Sequence, residues 1–338
     1  EFNSKAEYEK FMEYLKEVIP SNKDRKRLQE VLGTALVGEK LHKKGVILLG
    51  PTDAGKSTLI KIIREVLGKD NTESKSPHAL AHTRWAKGKL RGTKLNATDE
   101  VSENKLKNLE ILKRIMDGNP IEGEHKRERT FTFEPTCEHI YAANQTPTAN
   151  RKDDAFWNRW ITIEMPESVP EEEQVPELPK KIIEEEREGI FRWIVEGYKD
   201  FIENGKKFTF PIDWRETRDN WLAYGSALQR FIEKSIVREQ GNKVSTKDLY
   251  NEVIKFAEKQ EIDAPSSQKQ VTEEIKKLPY SSYSENYRIN GKKQRGFKGI
   301  KIDYDQDTDD TERSTFKRLE NQEKNNSEIS NNTNHNKS

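Results

Sequence analysis

Cysteine is nearly absent: Cys137 stands alone in 338 residues. A disulfide framework and any cysteine-based zinc site are therefore excluded. Long apolar runs are missing too. The best is Val46, Ile47, Leu48 and Leu49, far short of the ~18–20 residues that a membrane span needs. No secretory leader is visible, so the expected location is the cytoplasm. Net charge is also lacking, with 60 Lys+Arg against 59 Asp+Glu. That balance excludes a uniformly basic nucleic-acid coat but not a local basic patch. Apolar residues make up only 32%, below the usual ~45–50%, so part of the chain must be solvated linker or tail. The chain begins at Glu1 rather than Met and reads as a piece of something longer.

What is present falls into blocks. Residues 1–42 read as an N-terminal helical segment, with Phe11, Tyr14, Leu15, Val18, Leu28, Val31, Leu32 and Leu36 at helical spacing and a break at Pro20-Ser21-Asn22. Residues 43–165 alternate short strands with helices, the pattern of an α/β core. Residues 166–188 are acidic, carry Pro166, Pro170, Pro176 and Pro179, and read as an exposed linker. A helical subdomain is expected over 189–226, a further unit over 227–303, and a disordered polar tail over 304–338.

Gly50-Pro51-Thr52-Asp53-Ala54-Gly55-Lys56-Ser57 fits G-x-x-x-x-G-K-[ST], between a compact apolar strand and a helix that continues through Thr58. Successive backbone N–H groups and a helix N-terminus offer positive charge to phosphates. Lys56 is expected to reach the β- and γ-phosphates of ATP, and the Ser57 hydroxyl to ligate Mg²⁺. Hydrolysis also needs acids. Asp99 would hold Mg²⁺ and Glu100 would polarise the attacking water, unless the pair merely caps a turn before Val101. The strand before them alternates polar Lys94, Asn96 and Thr98 with Leu95 and Ala97, and reads as half-exposed. Asn144, ending an apolar strand, would orient the lytic water or simply sit in a turn before Pro147. Arg159 would reach a nucleotide across a subunit interface, or pair with Asp153 or Asp154.

Residues 119–133 flank a polar, basic tip with extended chain and read as a hairpin, with His125, Lys126 and Arg127 positioned to grip DNA. A solvated loop is the plainer alternative. The 227–303 unit shows helical stretches at about 227–238, 245–260 and 267–277, then a hairpin around Asn290-Gly291. Lys269 on the third helix, and Arg288, Lys292, Lys293 and Arg295 on the hairpin, suggest a winged-helix DNA-binding unit. A small helical lid is the other reading. His78 and His82 lack a third ligand, so metal binding there is not expected. Trp193, Trp214 and Trp221 read as packing residues, and Trp157 and Trp160 as packing around Arg159.

The order of these motifs resembles the superfamily 3 helicase module of phage and plasmid primase-helicases, with poxvirus-type relatives. The resemblance spans roughly 28–303. It includes Leu32-Gly-Thr-Ala-Leu36, Leu112-Lys-Arg-Ile-Met-Asp-Gly118-Asn-Pro120, Phe133-Glu-Pro135, Ala155-Phe-Trp-Asn-Arg159-Trp and Glu188-Gly-Ile-Phe-Arg-Trp193. It implies an AAA+-type P-loop ATPase core with N-terminal helices, forming a hexameric ring. Such rings move along single-stranded or forked DNA, usually 3′-to-5′, in phage or plasmid replication within a prokaryotic cell. They are often joined to a primase-polymerase domain. By motif, the resemblance makes Lys56 and Ser57 phosphate and Mg²⁺ ligands, Asp99 with Glu100 the acidic motif, Asn144 the sensor and Arg159 a finger acting in trans. Asn119 departs from the pattern, where an acid is common. Two other readings stand beside the helicase: an ATP switch that positions a primase without unwinding, and a P-loop small-molecule kinase.

Overall fold

The computed structural model describes residues 3–125, 128–149, 153–259, 264–289 and 291–303. Two compact units divide between Gly225 and Ser226.

In the first unit, α1 (Glu9–Val18) and α2 (Asn22–Thr34) precede β1 (Gly45–Leu49) and α3 (Lys56–Leu67). Then follow β2 (Thr72–Glu73), α4 (Pro77–His82), α5 (Arg84–Gly88), β3 (Leu95–Thr98), α6 (Leu109–Met116) and the short strands β4 (Ile121–Gly123) and β5 (Phe131–Phe133). β6 (Glu138–Ala143), α7 (Asp154–Trp157), β7 (Trp160–Glu164), α8 (Leu178–Glu203) and α9 (Trp214–Ala223) complete it. Five strands form a parallel sheet in the order β2-β3-β6-β1-β7. Because β1 is buried on both sides, it reads as a continuous apolar run rather than an alternating one. Val46 and Leu48 join one core with α1, α2, α3 and α8. Ile47 and Leu49 join the other with Trp157, Trp160 and Trp221. Those tryptophans pack on one another and on Phe156.

Three sequence expectations change. β3 is fully buried and central, because Asn96 satisfies its amide inside: it accepts from Lys75 N at 2.7 Å and donates to Lys75 O at 2.9 Å. The N-terminal helical segment and the helical stretch after 189 belong to one compact unit with the sheet, since α1, α2 and α8 share its core. The acidic stretch is linker only to Glu177, after which α8 begins and Ile182 is 3% exposed in that core. Ile182 before the glutamate run, and Ile190, Trp193, Ile194 and Phe201 after it, lie buried on one side of α8, and that apolar face outweighs the surrounding glutamates. The helix kinks at Glu186, whose carboxylate accepts from Lys10 N and Phe11 N at 3.0 and 2.8 Å and so caps α1.

The second unit comprises α10 (Ala227–Ser235), β8 (Ile236–Ser245), α11 (Thr246–Lys259), α12 (Gln268–Lys276), β9 (Ser282–Ile289) and β10 (Lys292–Ile302). Its antiparallel sheet runs β8-β10-β9 around a core of Leu249, Val253, Phe256, Phe297 and Ile300. Residues 236–238, expected to be helical, open β8 instead: Ile236 and Val237 pair with Ile302 and Lys301. The 304–338 tail lies outside the described residues.

α8 crosses its neighbours too closely for a side chain at Gly189, where a Cβ would lie 1.7 Å from Glu7 O. Gly189→Ala is expected to cost roughly 2–3 kcal/mol in urea unfolding, since the clash is with backbone. Gly205→Ala, in open space at φ +69°, should cost about 1 kcal/mol.

Candidate functional site

All five strands of the sheet are parallel, so their C-terminal ends share one edge, where α/β folds bind ligands. The Gly50–Ser57 loop leaves β1 there, Asp99 and Glu100 follow β3, and Asn144 follows β6. Thr52 to Thr58, Asp99, Glu100 and Asn144 line one cavity of about 790 Å³. The sequence-predicted residues of the loop, the acidic pair and the asparagine therefore converge.

The loop is held from outside. Gly50 and Pro51 carbonyls accept from the Lys56 ammonium, at 2.8 Å for Gly50. Thr52 O accepts from Ser168 Oγ at 2.7 Å, Asp53 O from Val169 N at 3.1 Å and Gly55 O from Tyr14 Oη at 2.8 Å. Asp53 and Gly55 adopt positive φ, and a Cβ on Gly55 would meet Val18 at 2.8 Å. α3 starts with no side-chain cap and no acid in its first turn, so its free N–H groups are available to an anion. Lys56 is 6% exposed; burial lowers its pKa to about 8, although Asp53 opposes the shift. Burial pushes the Tyr14 phenol up, which keeps it a neutral donor to Gly55. Asn144 Nδ2 donates to Thr52 Oγ1 at 3.1 Å.

This donor set fits a polyphosphate: an uncapped helix start, a buried ammonium and the hydroxyls of Ser57 and Thr58. Among the described residues no three His, Cys, Asp or Glu side chains converge as a metal cage. Mg²⁺ usually takes one or two carboxylates plus substrate phosphates, which Ser57 with Asp99 can match.

Sequence reasoning missed the other walls of the cavity. Tyr14 and Val18 on α1, Val169 and Val175 on the 166–177 stretch, and Leu178 and Ile182 on α8 line it. Their apolar spacing is that of ordinary core residues, so nothing in the sequence singled them out.

Arg159 lies at the other edge. Its carbonyl accepts from Gly45 N at the start of β1, ~16 Å of strand away from the loop. Its guanidinium holds Asp117 through two bonds of 2.9 and 2.7 Å, rather than Asp153 or Asp154. Asp153 instead pairs with Lys113 at 3.1 Å and caps α7.

β4 and β5 pair as the expected hairpin, Ile121 opposite Phe133, and the His125 ring lies 4.8 Å from that of Phe131. Lys126 and Arg127 lie outside the described residues. Beside the hairpin is a basic stretch that the sequence reading overlooked, of which Lys87 is buried. Between Glu73 and Asp99 there is no acid, but there are Lys75, Arg84, Lys87, Lys89, Arg91 and Lys94. Within that run Trp85 is 49% exposed. α5 abuts β4, where a Cβ on Gly88 would lie 2.4 Å from Glu124 O, and Arg91 stacks 5.0 Å from the Phe131 ring. An acid-free stretch with one tryptophan was the available signal.

In the second unit Lys269 is exposed on α12, Lys293 stands opposite Arg288, Lys292 is exposed beside them, and Arg295 lies 4.0 Å from Glu285. Among the described residues no helix is long and apolar enough to cross a membrane.

Comparison with known proteins adds little beyond this geometry. Residues 48–159 match a family described as a family of unknown function (DUF5906). No curated protein matches. A solved apo structure of the NrS-1 C terminal region (305-718) is similar at 13% identity and TM-score 0.45, covering 88% of this chain and 78% of that one. The A form apo structure of the same region is similar at 15% identity and TM-score 0.45, with 88% and 77% covered.

Proposed function

We propose that the chain is an ATP-hydrolysing DNA helicase that works as a ring, with a P-loop AAA+-like core of the superfamily 3 type. The observation that carries this reading is the convergence of Lys56, Ser57, Asp99, Glu100 and Asn144 on one cavity at the C-terminal edge of the sheet. When bound, ATP and Mg²⁺ supply the scissile phosphoanhydride and positive charge at its oxygens. Lys56 keeps its proton and turns from the Gly50 and Pro51 carbonyls toward the phosphates. Ser57 and Asp99 hold the metal. Glu100 accepts the proton of the attacking water, and Asn144 orients that water.

Arg159 cannot serve its own cavity from the opposite edge, so it serves a neighbouring copy's, and a hexamer is the arrangement proposed. DNA runs along the β4–β5 hairpin, where His125, Lys126 and Arg127 meet phosphates and Trp85 offers an indole for stacking. The second unit, with helices α10 to α12 and a three-stranded sheet among its described residues, is read as a winged helix that contributes Arg288, Lys292, Lys293 and Arg295. A primase-polymerase domain in the same full-length protein belongs to this reading.

Lys56→Ala is expected to abolish ATPase and fork unwinding together, at least a hundredfold in rate. Strand separation that survives this change sinks the mechanism. Lys126→Ala and Trp85→Ala should lower stimulation of the ATPase by single-stranded DNA. Binding of DNA without unwinding by the wild type would favour the switch over the helicase.

The lowered pKa of Lys56 adds a pH test. Phosphate needs the ammonium and, once bound, raises its pKa, so binding takes up a proton when the free site is neutral. Affinity for a non-hydrolysable ATP analogue should be level below about pH 8 and fall above it, approaching tenfold per unit. Titration calorimetry across that range measures it. An affinity that rises with pH contradicts the role given to Lys56.

A further inference from the structure

The three-stranded sheet of the second unit places cations directly opposite cations. Lys298 is in register with Lys243, and Lys293 with Arg288. Such like-charge pairs across strands destabilise a sheet. Lys301 and Arg295 have carboxylates at 3.6 and 4.0 Å, but these four have none within ion-pair distance among the described residues. Around the first pair the surface is continuous. The Lys243 ammonium lies 5.4 Å from the Tyr287 ring, Tyr287 Oη is 3.2 Å from Ser282 Oγ, and Ser282 is in register with Lys298. Phe297 and Val244, each adjacent in sequence to one of the two lysines, pair in register and face the unit's core. The lysines therefore point to solvent.

α12, the obvious candidate for reading a groove, is largely committed elsewhere. Gln268 Nε2 donates to Thr246 Oγ1 at 2.9 Å, and Gln270 Oε1 accepts from Ser266 N and Oγ at 3.1 and 3.0 Å. Thr272 Oγ1 donates to Gln268 O at 2.8 Å, while Lys276 and Lys277 pair with Glu273 and Glu274. Of these polar side chains, Lys269 alone has no such partner among the described residues. The sheet face itself is too broad for duplex DNA: three strands ~4.8 Å apart, with side chains, exceed a major groove of ~12 Å. A flexible backbone with unstacked bases can follow it, with phosphates on the lysines and a base near Tyr287.

Resting on the DNA-binding reading above, we propose that the solvent face of β8-β10-β9, centred on Lys243, Lys298 and Tyr287, is where this unit holds single-stranded DNA, and that α12 does not. The opposed lysines then exist for the phosphates that separate them.

The test uses the full chain and a fluorescent oligo-dT, read by anisotropy over a range of salt. The double variant Lys243→Glu/Lys298→Glu is expected to lose at least tenfold in affinity. Lys243→Gln/Lys298→Gln, which adds no new repulsion, should lower the salt slope by about 1.4, or ~0.7 per cation removed. Lys269→Glu should stay within twofold. Circular dichroism and Tm establish that each variant is folded. The reverse ranking, with Lys269 dominant, overturns the proposal. So does binding that responds to Lys126→Ala and Trp85→Ala but not to either pair in the sheet, an outcome that leaves the helicase reading intact. If the sheet variants matter only after residues 305–338 are removed, the chain's own acidic tail covers this face and the proposal also falls. A wild type that binds no oligo-dT refutes the broader reading instead.

Discussion

Everything at the cavity depends on where the carbonyls of one loop are sent. A loop that cradles an anion must turn its N–H groups inward, and each carbonyl turned away needs a donor elsewhere. Here five are accounted for: Gly50 and Pro51 by Lys56, Thr52 by Ser168, Asp53 by Val169 and Gly55 by Tyr14. Three of those donors come from other parts of the fold, so α1 and the stretch after β7 are bound to the loop's geometry. α1 in turn has its own N-terminus capped by Glu186 at the kink of α8. The N-terminal helices and the long helix are thus part of the site's support, although the sequence places them far from it.

The same economy operates where charge is buried. Glu138, at the start of β6, is fully enclosed; burial raises its pKa, while Lys40 at 2.7 Å opposes that rise. His42, edge-on to Phe201 and tilted against Phe208, is driven well below its usual pKa by burial and by Lys40 and Lys44, so it is neutral and accepts or donates without charge. Removing one partner from such a cluster costs more than the pair contributes, because the remaining charge stays buried. Asn96, His139 and Tyr141 form a neighbouring network in which every bond is neutral. These groups fix β3 and β6 in register and thereby place Asp99, Glu100 and Asn144 at the same edge.

The loop motif, the β1 run and the hairpin over 119–133 were legible because local chemistry determines them: a glycine spacing, an apolar run bounded by a loop, an alternation around a polar tip. β3 was misread as half-exposed because a sequence shows that Asn96 is polar but not that Lys75 offers it both a donor and an acceptor. β8 was missed because 236–245 carries Arg238, Glu239, Gln240 and Asn242, and only pairing with β10 makes it a strand. The partner of Arg159 was equally hidden, since Asp117 is 42 positions away and two acids, Asp153 and Asp154, lie nearer in sequence. In each case the deciding interaction is long-range. Trp85 differs, for the acid-free run around it is a property of the sequence itself and needs no long-range partner to be seen.

The position of Arg159 carries the last step. In a parallel sheet the start of β7 and the end of β1 are at opposite edges by construction, and no rotamer of an arginine spans that length. If Arg159 acts on a phosphate, that phosphate belongs to another copy. Its bidentate bond to Asp117 then acquires a purpose, because a guanidinium held by a carboxylate from the α6–β4 connection is already oriented before a neighbour arrives. Asp117 lies only four residues before β4, so displacement of the hairpin by DNA would pull on the group that positions the arginine. On the proposed reading, coupling between DNA and hydrolysis runs through this short connection, and a single chain holds both of its ends but never a complete site.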